Sequence, residues 1–138
     1  MAAEVEITVA SHPRWLRLIR RVIAEYAELT GLDAQSAREV MLAVDEASAN
    51  VIKHSYQGDS GQRLTVVARS VEDGIEVEIQ DNGPAFNPVD QPIPPPDELR
   101  VGGRGMFLMQ SVMDAIDYER RDGKNCVRMR KRVGAHAE

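Results

Sequence analysis

The chain reads as an α+β protein, a two-layer sandwich in which a largely antiparallel sheet carries its helices on one face. Two observations predict this. Apolar patterns of period two and period 3.6 follow one another in the order β-α-α-β-β, then, past a long aperiodic stretch, α-β-β. Short turn signals also join strands in pairs, as in a hairpin.

Each element has its own justification. Val5, Ile7 and Val9 alternate with polar residues and make a short first strand. Ser11 or His12 can cap the first helix, with Pro13 in a first turn where a missing N–H costs nothing. Leu16, Ile19, Val22, Ile23 and Tyr26 form its apolar stripe, and Gly31 stops it. Asp33 is placed to cap a second helix whose apolar arc is Val40, Met41, Val44, Ala47, Val51 and Ile52. Beyond a polar loop, QGDSGQ, the alternation of Leu64, Val66 and Ala68 meets that of Ile75, Val77 and Ile79 across a turn at Asp73-Gly74. From Asp81 to Arg104 there is no periodicity, and six of the seven prolines fall there. Loops longer than about 12–15 residues are uncommon in compact domains and are usually functional lids or linkers. A glycine-rich VGGRG then opens a helix carrying Met106, Met109, Val112 and Met113. Ile116 and Tyr118 mark a strand, Asp122-Gly123 a turn, and Val127 and Met129 the inner face of the last strand. The basic residues of that strand, Arg128, Arg130, Lys131 and Arg132, read as the solvated face of a sheet edge. The whole, residues 1–138, is expected to be one domain with a lid over about residues 83–104.

Composition narrows the function classes. A chain of 138 residues with 43% hydrophobic and 28% charged residues can bury a core and is not a disordered tail. A formal net charge of −5 argues against nucleic acid as a direct partner, since phosphate backbones need a basic surface. The single cysteine, Cys126, excludes an internal disulfide and a cysteine-rich zinc site. No apolar run is long enough to span a bilayer, and MAAEVEITVA lacks signal-peptide anatomy, so no membrane role and a cytoplasmic location are expected.

Three short stretches carry candidate chemistry. In VDEASANVIKH, Glu46 and Asn50 stand one helical turn apart and project nearly opposite the apolar arc, beside Glu39 and Lys53. That pattern fits a solvated face, and equally a face lining a pocket. DNG, Asp81 to Gly83, is by itself a turn signal. GGRG, Gly102 to Gly105, could be an ordinary loop, yet glycines before a helix N-terminus also suit an anion, with Arg104 adding positive charge. Neither G-x-x-x-x-G-K-[ST] nor a strand-linked G-x-G-x-x-G occurs.

In order and spacing, VDEASANVIKH, DNGPAFNP and GGRGMFLMQSVMD resemble the N, G1 and G2 boxes of the gyrase, histidine-kinase and MutL ATPase superfamily, the Bergerat fold. More narrowly, the chain is similar to the bacterial anti-sigma factor serine/threonine kinases, over nearly its whole length. The resemblance implies a role for each matched residue. Asn50 would bind ATP through Mg²⁺, and Glu46 would be catalytic, orienting the attacking hydroxyl or accepting its proton. Asp81 would accept the adenine amino group, and Gly83 would let the base approach. Gly103 and Gly105 would cradle phosphates under Arg104, which belongs to the lid. ATP and Mg²⁺ would be the cofactors. A sigma factor and an anti-anti-sigma protein would be the partners, the latter phosphorylated on Ser or Thr, and the chain itself a homodimer. Two positions depart from the family pattern. Ala85 stands where a second glycine is usual, and Asn125-Cys126 where many relatives place a threonine near the adenine-binding Asp. Ala85 sustains an alternative: a nucleotide-sensing partner-switch protein with little or no kinase activity.

Overall fold

A computed structural model describes residues 3–87 and 109–133. It begins with β1, Val5–Ala10, and a 3₁₀ turn, Pro13–Trp15, capped by His12, whose Nδ1 accepts from Arg14 N at 3.1 Å. Helix α1, Leu16–Leu29, buries Ile19, Ile23, Tyr26 and Ala27 at the predicted spacing. Helix α2, Ala34–Asn50, starts where Asp33 Oδ1 accepts from Ser36 N at 2.7 Å, a side-chain N-cap. Four more strands follow in the expected order: β2, Arg63–Val71; β3, Gly74–Asp81; β4, Ala115–Arg121; and β5, Lys124–Arg132. Residues 109–112, just before β4, are helical. The expected phosphate loop and most of the expected lid lie outside the described residues.

The sheet order is β1-β2-β3-β5-β4, and every pairing is antiparallel. Alternation sorts the strands into two faces. Val66, Val77, Ile79, Val127 and Met129 join Ile19, Ile23, Val40 and Val44 of the helices in one core. Fully burying each such aliphatic contributes about 1.5–3 kcal/mol, which holds the two layers together. Among the described residues, no helix is long and apolar enough to cross a membrane.

Two expectations need correction. The β2–β3 turn is Glu72-Asp73, one residue earlier than expected, because Gly74 already pairs with Val71. A Cβ on Gly74 would collide with the Lys131 carbonyl oxygen, so glycine is there to let β3 approach β5. Nor is β5 a sheet edge, since it lies between β3 and β4. Its basic residues are paired with carboxylates, although Arg130 and Arg132 remain exposed and only Lys131 is buried. On the face away from the helices, Arg130 Nε donates to Glu76 Oε1 at 2.9 Å and Arg128 to Glu119 Oε2 at 3.0 Å. Burial alone would raise the Glu76 carboxyl, but hydrogen bonds from Arg130 and Arg69 outweigh it and hold the group below its ordinary value. Lys131 points the other way, into the layer between sheet and helices, with Nζ 3.1 Å from Glu39 Oε1 and donating to the Val112 carbonyl.

Candidate functional site

The end of α2 is where regular helix geometry gives way. From Val51 to Ser55 the chain widens into a π-type turn, with Tyr56 N donating to Val51 O at 2.8 Å, five residues back. Such turns inside helices often mark functional positions. Here the turn delivers Ser55 and Tyr56 to the end of the sheet. Ser55 Oγ donates to Asp81 Oδ1 at 2.6 Å, and Tyr56 OH accepts from Asn82 N at 2.7 Å while donating to Arg63 O at 2.5 Å. The helix that carries Glu46 and Asn50 is thereby fastened to the strand end that carries Asp81.

Glu46 and Asn50 are both half-buried, whereas Lys53 and His54, further along the same segment, are exposed. Burial pushes the Glu46 carboxyl above its ordinary value, and repulsion from Asp45 adds to this, partly offset by Lys53. A carboxylate made more basic is better suited to take a proton. Asp45 is itself held by Arg20, whose Nη1 donates to Oδ1 at 3.2 Å. Glu39 leaves the predicted polar group, being paired with Lys131 on β5. Among the described residues, no three or more His, Cys, Asp or Glu side chains gather as a metal cage.

Asp81, last residue of β3, is 4% exposed and faces the helix layer. Its Oδ1 accepts three close hydrogen bonds, from Ser55 Oγ at 2.6 Å, Gly83 N at 2.9 Å and Asn125 Nδ2 at 2.9 Å. Oδ2 receives none among the described residues, so this oxygen is left to accept from something else. Gly83 has a structural reason beyond the predicted one. A Cβ there would collide with Ser55 Oγ and come within 3.0 Å of its carbonyl oxygen. His54 stacks on Phe86, ring centroids 5.5 Å apart and planes within 14°.

Of the predicted site residues, the structure links Asp81 and Gly83 directly and ties them through Ser55 to the helix bearing Glu46 and Asn50. Gly103, Arg104 and Gly105 lie outside the described residues. Sequence reasoning missed Ser55, Tyr56, Tyr118 and Arg120 and gave Asn125, noted only as a departure from the family pattern, no contact; together they build the wall around Asp81. A signal existed in the inner faces of the last two strands, where Tyr118, Arg120 and Asn125 interrupt an otherwise apolar alternation. In register, Asp81 lies opposite Asn125, and Asn125 opposite Arg120.

Comparison with known proteins identifies the family and the fold. The family described as the histidine kinase-like ATPase domain matches residues 9–131. Curated relatives include the serine-protein kinase RsbW of Listeria monocytogenes, 29% identical over 84% of this chain and 79% of its own. The serine-protein kinase RsbW of Bacillus subtilis is 28% identical over 86% of this chain and 79% of its own. Among solved structures, the RsbU and RsbW domains of a Mycobacterium tuberculosis protein superpose with a TM-score of 0.68 at 16% identity, over 94% of this chain but 32% of that one. A histidine kinase domain from Erythrobacter litoralis gives a TM-score of 0.55 at 16% identity, over 91% of this chain and 62% of that one. At that identity, both speak to the fold alone.

Proposed function

Because the chain belongs to the histidine kinase-like ATPase domain family, we propose that it is an ATP-dependent serine/threonine protein kinase of the anti-sigma type. It would bind a sigma factor and phosphorylate an anti-anti-sigma partner, as a homodimer in the cytoplasm. The observation that carries the reading is the Ser55–Asp81 junction. There the turn that ends the helix meets the strand end, and among the described residues one Asp81 oxygen has no hydrogen-bond partner, while earlier on the same helix the Glu46 carboxyl is held above its ordinary value.

The chemistry follows from these positions. Asp81 Oδ2 accepts the adenine amino group and so selects adenine over guanine, whose carbonyl at that place would be repelled. The Asn50 amide oxygen would hold Mg²⁺, which would neutralise charge developing on the phosphates. Gly103, Gly105 and Arg104 contribute to phosphate binding, and residues 83–104 form the lid; both assignments rest on the sequence. Glu46 holds the acceptor hydroxyl and takes its proton as the oxygen bonds to the γ-phosphorus. The bond from that phosphorus to the bridging oxygen breaks, and ADP leaves. Positioning and charge stabilisation are most of what phosphoryl transfer requires.

The test is transfer of labelled phosphate from Mg-ATP to candidate partner proteins, alongside calorimetry with ATP and GTP. Adenine-selective, Mg²⁺-dependent binding with transfer to a partner serine or threonine is expected. Binding without transfer to any candidate would favour the partner switch, a reading that Ala85 supports. No binding at millimolar nucleotide would overturn both.

A further inference from the structure

Asn125 is 1% exposed and uses every polar atom it has. Its Nδ2 donates to Asp81 Oδ1 at 2.9 Å and to the Pro84 carbonyl at 2.8 Å, with Ser55 Oγ a longer 3.4 Å away. Its Oδ1 accepts from Tyr118 OH at 2.6 Å, Arg120 Nη1 at 3.0 Å and Phe86 N at 3.1 Å. The same Arg120 nitrogen donates to the Gly83 carbonyl at 2.9 Å. These partners fix which way the amide points, because a flipped group would set its oxygen against two acceptors and its nitrogen against two obligate donors, Arg120 Nη1 and Phe86 N.

We propose that Asn125 is a positioning residue for base recognition: it anchors one Asp81 oxygen so that the other is presented, and ties the chain leaving Asp81 to the same amide. This rests on reading Asp81 as the carboxylate that meets adenine. Without the amide donor, Asp81 keeps only the Ser55 and Gly83 hydrogen bonds, and its orientation is less firmly fixed. Gly83 to Phe86 would also lose two of their three attachments to β4 and β5. A ligand would then have to order both, and that cost falls on affinity. The effect belongs at the base end of the nucleotide, because the one Asn125 partner on the turn that continues α2, Ser55, is also its longest contact, at 3.4 Å.

Calorimetry on the full chain, with Mg-ATP, Mg-GTP and Mg-tripolyphosphate as probes, tests the proposal. Losing a hydrogen bond to a charged group is worth roughly tenfold or more in affinity. Asn125→Ala is expected to weaken Mg-ATP by at least that factor, to shrink the preference for ATP over GTP, and to leave tripolyphosphate unchanged. Asn125→Asp keeps the shape but turns an acceptor toward Asp81 and the Pro84 carbonyl, so the same result is expected. In an Asp81→Ala background, Asn125→Ala should have less than about a twofold further effect on ATP. Equal weakening of ATP and tripolyphosphate would make Asn125 merely structural and overturn the proposal, as would an unchanged ATP preference. Should neither variant fold by circular dichroism, the amide is a determinant of the fold and the proposal also fails. If Asp81→Ala leaves the ATP preference intact, the adenine site itself is misassigned, a result distinct from failure of Asn125 alone.

Discussion

Glu46 carries opposite consequences for stability and for catalysis. Its folded pKa lies above the ordinary 4.5, chiefly through burial. Between the unfolded value and that raised value the folded state holds more protons, so stability falls as pH rises through the window. Glu46→Gln removes the penalty. The variant should match wild type below the window and exceed it above, by about 1–2 °C in Tm at neutral pH, since the site is only half-buried. Nucleotide binding should persist, because an anion beside phosphates contributes little to it. Phosphate transfer, however, should fall by ~10²–10⁴-fold, the usual worth of a positioned base. Transfer that survives the substitution would refute the catalytic role. Gly83 makes a second residue-scale prediction. Gly83→Ala should force Ser55 or Asp81 to move, costing about 1–3 kcal/mol of stability in urea unfolding and abolishing the ATP preference in calorimetry.

At the scale of elements, the contact between α2 and β5 rests on one ion pair as well as apolar packing. Lys131 has 5% of its side chain exposed and Glu39 19%, so only Glu39 reaches water. Removing Glu39 leaves a buried ammonium with just the Val112 carbonyl, whereas removing Lys131 leaves a carboxylate whose second oxygen is on the exposed side, beside Gln35. Glu39→Ala should therefore cost about 2–3 kcal/mol and Lys131→Met distinctly less, as read from urea midpoints. Equal costs would show that the pair is not desolvated in the way its exposure implies. Lys131 also holds the carbonyl end of helical residues 109–112, so Lys131→Met should loosen that end as well.

For the molecule as a whole, ligand binding and stability are linked. A nucleotide that binds only the folded chain, supplied at a hundred times its Kd, stabilises by about 2.7 kcal/mol. For a chain of 138 residues this is a rise of roughly 8–12 °C in Tm. Thermal unfolding should show such a rise with Mg-ATP and a smaller one with Mg-GTP. Asn50→Ala should make the ATP response insensitive to Mg²⁺. A shift of equal size with GTP would remove Asp81 from base selection.

By itself the sequence determined the two layers, the element order and most element boundaries. Alternation at Val5, Ile7 and Val9, or the stripe from Leu16 to Tyr26, is a local property that water alone enforces. It also determined the candidate residues Glu46, Asn50, Asp81 and Gly83, since their spacing resembles a family pattern. Only the tertiary structure decided the order β3-β5-β4, which turned an apparent edge into an interior strand and paired its arginines across the open face. It also decided that Glu39 belongs to Lys131, and that Ser55 and Asn125 hold one oxygen of Asp81. Those contacts join residues 26, 44 and 92 positions apart. No local periodicity encodes such a separation; it exists only once the strands are in register and the helices lie on their face.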